Sequence, residues 1–414
     1  MITVFSNARL LDAAHPHDDG RYSVAVEKGG IVDVQRGEMK LANATVIDLG
    51  GKTLMPGLID CHVHVIATLA NLGDNARLPG VFAVLRTVPV LKAMLMRGFT
   101  SVRDAGGADH ALAQAVETGL IAGPRLFIAG KALSQTGGHG DFGSRYLSEN
   151  LDACPCHRYH GSIARVVDGI DELRLAIRQE IRQGAHQIKI MSSGGVSSPI
   201  DRLEYLQYSE SEILAAVEEA ANHKTYVMAH AYTAEAIHRS VALGVRSIEH
   251  GNLVDDATAR FMHERGAFAV PTTITYEATR NDGAAAGFPA DSMEKNERVW
   301  AKGMEALEIF RRNEVKVAYG SDLLGDMHKH QSGEFGIRSR VYSPFEVICQ
   351  ATSNAAELLR MEGRLGIVAP GAIADLLVVN GDPLANIGVL ADDGAHLSVI
   401  MKDGAFVKNE MSRG

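Results

Sequence analysis

The sequence predicts an α/β fold: a (β/α)8 TIM barrel with a small β-sandwich domain built from both chain termini. Three observations predict it. The middle of the chain alternates short apolar runs with stretches of helical periodicity, and eight such runs occur over roughly 300 residues. The runs are continuous rather than alternating, as in parallel strands buried on both faces. Strand-like segments recur at the two ends of the chain, outside this rhythm.

Residues 1–55 carry ITVFSNARLL, YSVAVEKGGIVDVQ and ATVIDLGGKTLMP, apolar or β-branched segments bounded by Gly, Asn or Asp. Residues 360–414 carry ADLLVVNGDP and LSVIMKDGAFVKN, so 1–55 plus 360–414 are expected to form one composite domain. The barrel is expected over 56–359. GLIDCHVHV opens it, before the helical VFAVLRTVPVLKAMLMRG. TSVRDAGG, RLFIAG and HQIKIMSSGG follow, then TYVMAHAYT, RSIEHG, AFAVPTT and KVAYGSD. Residues 131–170, rich in Gly, His and Asp, break the rhythm and are expected as a functional lid. Ser209-Glu210-Ser211-Glu212 reads as a solvated helix N-terminus, with Ser capping and early Glu complementing the dipole.

Composition narrows the function. Lys and Arg number 41 against 50 Asp and Glu, a net charge of −9, which argues against a general nucleic-acid binder. Charged residues at 22% and hydrophobic residues at 46% exclude bulk disorder. Four cysteines in 414 residues are no disulfide scaffold. The N-terminus lacks the pattern of a signal peptide, and no stretch is long and apolar enough for a transmembrane helix, so a cytoplasmic enzyme without membrane contact is expected. Histidine, at 17, outnumbers phenylalanine, at 12, which directs attention to metal chemistry.

Reactive residues of a barrel enzyme sit at the C-terminal ends of its strands. Those positions hold His62 and His64, Lys189, His230, His250 and Asp322. Side chains two apart in a strand share a face, so His62 and His64 can chelate one ion, with Asp322 beside them once the barrel closes. His230 and His250, on adjacent strands, can hold a second. Lys189 stands between the groups. A lysine in such a core has no water to reach, and as a neutral amine it can add carbon dioxide to become a carbamate bridging two ions.

His-x-His alone is weak evidence, since roughly 0.7 such pairs arise by chance at this histidine content. Three occur: His15/His17, His62/His64 and His328/His330. The first lies in a Pro/Asp loop. The third follows the last barrel strand, where His328 is a possible substrate-pocket residue. Only the second interrupts a buried strand, where two unsatisfied polar rings would be costly. Cys154, Cys156, His157 and His160 match none of the usual zinc spacings and read as incidental to a lid. Cys61 and Cys349 read as small buried apolar residues, and Gly106-Gly107 and Gly194-Gly195 as βα turns rather than phosphate cradles.

With these residues in place, the sequence resembles the amidohydrolase superfamily over nearly its whole length. The resemblance is carried by Pro56-Gly57-Leu58-Ile59-Asp60-Cys61-His62-Val63-His64, by Lys189, His230, His250 and Asp322 in order, and by Gly371-Ala372-Ile373-Ala374-Asp375-Leu376. Val102 to Gly107, Ile188-Lys189-Ile190, Leu206 to Ser209 and His230-Ala231-Tyr232 resemble the binuclear branch holding imidazolonepropionase-like prolidases, Xaa-Lys/Arg carboxypeptidases and amide-cleaving detoxification enzymes. Lys189 argues against imidazolonepropionase activity itself, which uses a single metal and no bridging lysine.

The resemblance implies two divalent ions, zinc by preference, held by His62, His64 and Asp322, by His230 and His250, and by carboxylated Lys189 in common. Such ions lower the pKa of a bridging water and polarise the scissile carbonyl. Asp322 is then the general base that later protonates the leaving nitrogen. His139 and Tyr232 occupy the positions that bind a substrate's free carboxylate in peptidase members. A small molecule with that carboxylate is therefore the expected partner. Xaa-Pro dipeptides or N-acyl-proline are the first choice, with Xaa-Lys/Arg peptides or a non-peptide amide or carbamate as alternatives. A basic leaving residue would need an acidic pocket, for which Glu277 and Asp326 are candidates. The resemblance also implies a homo-oligomer, while the intact ligand set weighs against a non-enzyme scaffold.

Overall fold

The structure, a computed structural model, describes residues 2–16, 20–143, 161–198 and 201–411. They fall into two compact units: Met1–Asp60 with Lys92–Val102 and Ser332–Gly414, and Cys61–Leu91 with Arg103–Gln331.

In the first unit both chain ends contribute to one eight-stranded sheet. Ile2–Leu10 pairs antiparallel with Tyr22–Glu27 and parallel with Ala44–Asp48, while Arg9 and Leu10 pair with Thr53 and Leu54. Thr53–Pro56 then pairs antiparallel with Leu376–Val379, which pairs with Leu397–Lys402. Two tight hairpins set the register. Lys28-Gly29 and Asp403-Gly404 both have positive φ at each residue, the turn geometry that matches strand twist. Phe5, Leu10, Val24, Leu54, Leu376, Val378 and Val399 close a core from the two chain ends.

In the second unit the strands are parallel. Ile188–Met191, Val227–Thr233, Ser247–Leu253, Phe268–Val270 and Lys316–Val317 are successive neighbours. The end of the first barrel strand is bonded on both sides. Ala105 N donates to Val63 O at 2.8 Å, Cys61 N to Tyr319 O at 2.7 Å and Asp322 N to His62 O at 2.8 Å. The apolar runs thus deliver their polar terminal residues to one place.

The expected lid, 131–170, is not loop throughout. Ala132–Ser134 and Ala164–Val166 pair parallel and continue the sheet beside Ile188–Met191. Three-residue strands are too short to show a period, but Ala132, Leu133 and Ser134 are buried. Cys154, Cys156, His157 and His160 lie outside the described residues. Ser209 caps helix Glu210–Asn222 in a reciprocal capping box with Glu212. Cys61 is buried, whereas Cys349 is only half-buried, on the short helix Pro344–Gln350. Among the described residues no helix is long and apolar enough to cross a membrane.

Candidate active site

His62, His64 and Asp322 each offer one donor atom, and the three atoms lie within 4.8 Å of one another. Asp322 Oδ1 is 3.5 Å from both His62 Nε2 and His64 Nε2. The rings of His62 and His64 are edge to face at 5.4 Å, as two side chains on one strand face should be. The ring of His250 is 5.0 Å from that of His62 and 4.7 Å from that of His230.

The partners of these rings fix their tautomers. His62 Nδ1 donates to Glu249 Oε2 at 2.6 Å and His64 Nδ1 to the carbonyl of Gly106 at 2.7 Å. His230 donates through Nε2 to the carbonyl of Gly194 at 3.1 Å. A carboxylate and two carbonyls can only accept, so the lone pair falls on Nε2 of His62 and His64 and on Nδ1 of His230. Nδ1 of His250 lies 2.8 Å from Thr272 Oγ1. The glycine turns at 106 and 194 therefore do more than leave space: each hands a carbonyl to a site histidine.

Burial lowers the pKa of all four imidazoles, most of it desolvation, with the positive charge of Lys189 acting in the same direction. His64 falls to about 3. The rings are neutral at physiological pH, the form in which histidine ligates. Lys189 is itself buried, and desolvation lowers it to about 8 although Glu249 and Asp322 favour its charge.

Glu249 is a site residue that the sequence reading missed. Besides His62, it accepts from Arg103 Nη2 at 2.9 Å in a pair with no solvent exposure. Burial works most strongly against the Arg103 charge, but Glu249, Tyr226 and Cys61 together outweigh it and raise its pKa. Alternation along Ser247–Leu253 would send Glu249 and His250 to opposite faces. His250 instead has φ of 73° and Asp322 has φ of 50°. Left-handed backbone at non-glycine residues is costly and concentrates at functional sites. At His250 it lets neighbouring side chains both approach His62.

His139 and Tyr232 both pack against His230. The His139 ring stacks on it at 4.2 Å and 20°, and the Tyr232 ring stands perpendicular to it at 4.9 Å. Gly195 makes room, since a Cβ there would lie 2.2 Å from His139 Cε1. Gln207 Oε1 accepts from His139 N at 2.9 Å, and Asp201 Oδ2 is 3.5 Å from His139 Nδ1. Burial opposes the charge on Asp201, yet His139 and Lys295 outweigh it and lower its pKa. Lys295 donates to the carbonyls of Gly195, at 2.7 Å, Ser198 and Asp201.

Of the remaining candidates, His328 stands within electrostatic reach of His64. His328 is buried on the 3-10 helix Gly325–Gly333, with Nε2 donating to Ala67 O at 3.1 Å. His330 pairs with Asp282 at 2.7 Å and His15 with Asp12 at 2.8 Å. His17 lies outside the described residues. Asp326 is exposed and Glu277 half-buried.

The model of the amidohydrolase family matches residues 53–406. A prolidase crystallised with N-methylphosphonate-L-proline is 54% identical, with a TM-score of 0.96 over 99% of this chain and 100% of its own. A Xaa-Pro dipeptidase with methionine bound in its active site is 29% identical, with a TM-score of 0.86 over 99% of this chain and 100% of its own. The ochratoxinase of Aspergillus niger is 30% identical over 370 residues, 86% of this chain and 75% of the relative.

Proposed function

The chain belongs to the amidohydrolase family and is a hydrolase of amide C–N bonds, and from that premise we propose that it cleaves Xaa-Pro dipeptides or N-acyl-proline. One observation carries the substrate reading: His139 and Tyr232 both pack against His230, a seat for a carboxylate immediately beside the ligand cluster. Support comes from the 54% identical prolidase, which was crystallised with N-methylphosphonate-L-proline. In this reading the parallel strands close a (β/α)8 barrel over 56–359, and 1–55 with 360–414 form the sandwich domain.

The residues fit two divalent ions. Neutral imidazoles with fixed lone pairs, a carboxylate and a partly neutral lysine form an N/O donor set suited to zinc. His62, His64 and Asp322 would hold one ion, His230 and His250 the other, with Lys189, as its carbamate, shared. Bound there, the ions would acidify a water and polarise the amide carbonyl. Asp322 accepts the proton of the attacking water and passes it to the departing proline nitrogen. Tyr232 and His139 donate to the carboxylate and hold the scissile bond in register. Glu249, balanced by Arg103, keeps the His62 lone pair aimed inward.

A library of dipeptides and N-acyl amino acids, assayed at neutral pH with added zinc, tests the assignment. We expect turnover concentrated on proline leaving residues and lost when the C-terminus is amidated. Preference for Lys or Arg would select the carboxypeptidase reading, and equal turnover of amidated substrates would remove the carboxylate seat. The ochratoxinase relative makes ochratoxin the most useful non-proline member of the library.

A further inference from the structure

Beyond Tyr232 runs a line of hydroxyl groups, those of Tyr276 and Thr272, that the mechanism above does not use. Tyr232 Oη and Tyr276 Oη are 2.9 Å apart. Thr272 Oγ1 donates to Tyr276 Oη at 3.4 Å, and Thr272 Oγ1 is in turn 2.8 Å from His250 Nδ1. All four residues are buried. Tyr276 and Tyr232 share an apolar cluster with Val196, Leu203 and Val299. Tyr276 is set on helix Thr273–Asp282, and Thr272 immediately precedes it, after strand Phe268–Val270.

We propose that Thr272 and Tyr276 are positioning residues that make Tyr232 a one-way hydrogen-bond donor to the substrate carboxylate, with the direction set at His250. The inference rests on the carboxylate reading of Tyr232 and deepens it. Each hydroxyl owns one proton, so the direction chosen at one end is inherited by the other. A neutral His250 that gives the lone pair of Nε2 to an ion carries its proton on Nδ1 and donates it to Thr272 Oγ1. Thr272 then donates to Tyr276 and Tyr276 to Tyr232. The Tyr232 proton is the only one in the line without a partner inside it, and it is left to meet an anion. Without Tyr276, the Tyr232 hydroxyl loses the donor that occupies its oxygen and is free to turn.

The test measures, on the metal-loaded enzyme, calorimetric affinities for L-proline and L-prolinamide, together with kcat and KM for an Xaa-Pro dipeptide. The two ligands differ only at the carboxylate, so their affinity ratio reports that subsite. Tyr276→Phe and Thr272→Val should each lower the acid-over-amide ratio by about three- to tenfold, the worth of one hydrogen bond, and raise KM more than they lower kcat. Thr272→Ser, which keeps the hydroxyl, should restore the ratio. In a Tyr232→Phe background, Tyr276→Phe should change the ratio less than about twofold, because the two residues act through one proton. Equal losses for acid and amide, or effects of Tyr276→Phe and Tyr232→Phe that simply add, would overturn the inference and leave the carboxylate seat standing. A Tyr232→Phe enzyme with an undiminished acid-over-amide ratio would instead remove the seat, and the inference with it.

Discussion

The carboxylate of Glu249 accepts from His62, Arg103 and Ser247 at once, and these duties conflict if its charge is lost. Glu249→Gln keeps the shape but offers one acceptor oxygen and an amide that can turn its N–H₂ toward His62. The ring would then be pushed to the tautomer whose lone pair points away from Asp322. Arg103 would stay buried without its counter-ion, a change that costs about 3–5 kcal/mol. Metal affinity, measured by competition with a chelator, should fall about 10–100-fold. Unaltered affinity in a folded variant would refute the orienting role. The same residue shows where the sequence stops being legible. His62, His64, Lys189, His230, His250 and Asp322 stand out because a polar group ending a buried apolar run is an expensive exception. Glu249 is hidden beside His250, since strand alternation assigns it to the other face. Only the left-handed φ of 73° at His250 reveals that both turn toward His62.

Among the elements, the segment after strand Ile188–Met191 depends on a distant helix. Lys295, on helix Ala290–Arg312, donates to three carbonyls of that segment and lies 3.6 Å from Asp201 Oδ1. Asp201 Oδ2 accepts in turn from Gly195 N at 3.0 Å and Gln207 Nε2 at 3.1 Å. Gly195 and Gln207 are the residues against which His139 is seated. Lys295→Met should therefore act at the proposed carboxylate seat through the segment. We expect a loss of about 2–4 kcal/mol in stability, from unmet carbonyls and the uncompensated Asp201. KM for a carboxylate substrate should rise several-fold, with a smaller change in kcat. Denaturant titration and steady-state kinetics check this, and a destabilised enzyme with unchanged KM would confine Lys295 to a purely structural part. No sequence pattern links Lys295 to Asp201, because the pairing exists only after the helix packs. The capping box at Ser209 and Glu212, by contrast, is local and was readable from spacing alone.

On the scale of the whole molecule, the donors His62, Lys189, His230, His250 and Asp322 are separated by most of the barrel sequence, and only the folded chain gathers them. An ion bound there stabilises the folded state by mass action, about 4 kcal/mol at a thousandfold excess over its Kd. Lys189 adds a dependence on pH and carbon dioxide. Forming the carbamate joins the lysine nitrogen to the carbon of CO₂ and releases one proton, so the amine must first be neutral. With its pKa lowered to about 8, the neutral fraction grows as pH rises. It is ~3% at pH 6.5 and ~75% at pH 8.5. The resulting anion would stand near Glu249 and Asp322, a repulsion that dications between them remove. Metal uptake, carboxylation and thermal stability should consequently move together. Chelator-treated protein given zinc at a fixed concentration of dissolved CO₂ should regain activity and its thermal midpoint at least about tenfold faster at pH 8.5 than at pH 6.5. At pH 8.5 without CO₂, recovery should stall. Reconstitution that ignores both pH and CO₂ would show that Lys189 serves the site as an unmodified amine, and the assignment of a carbamate would fall.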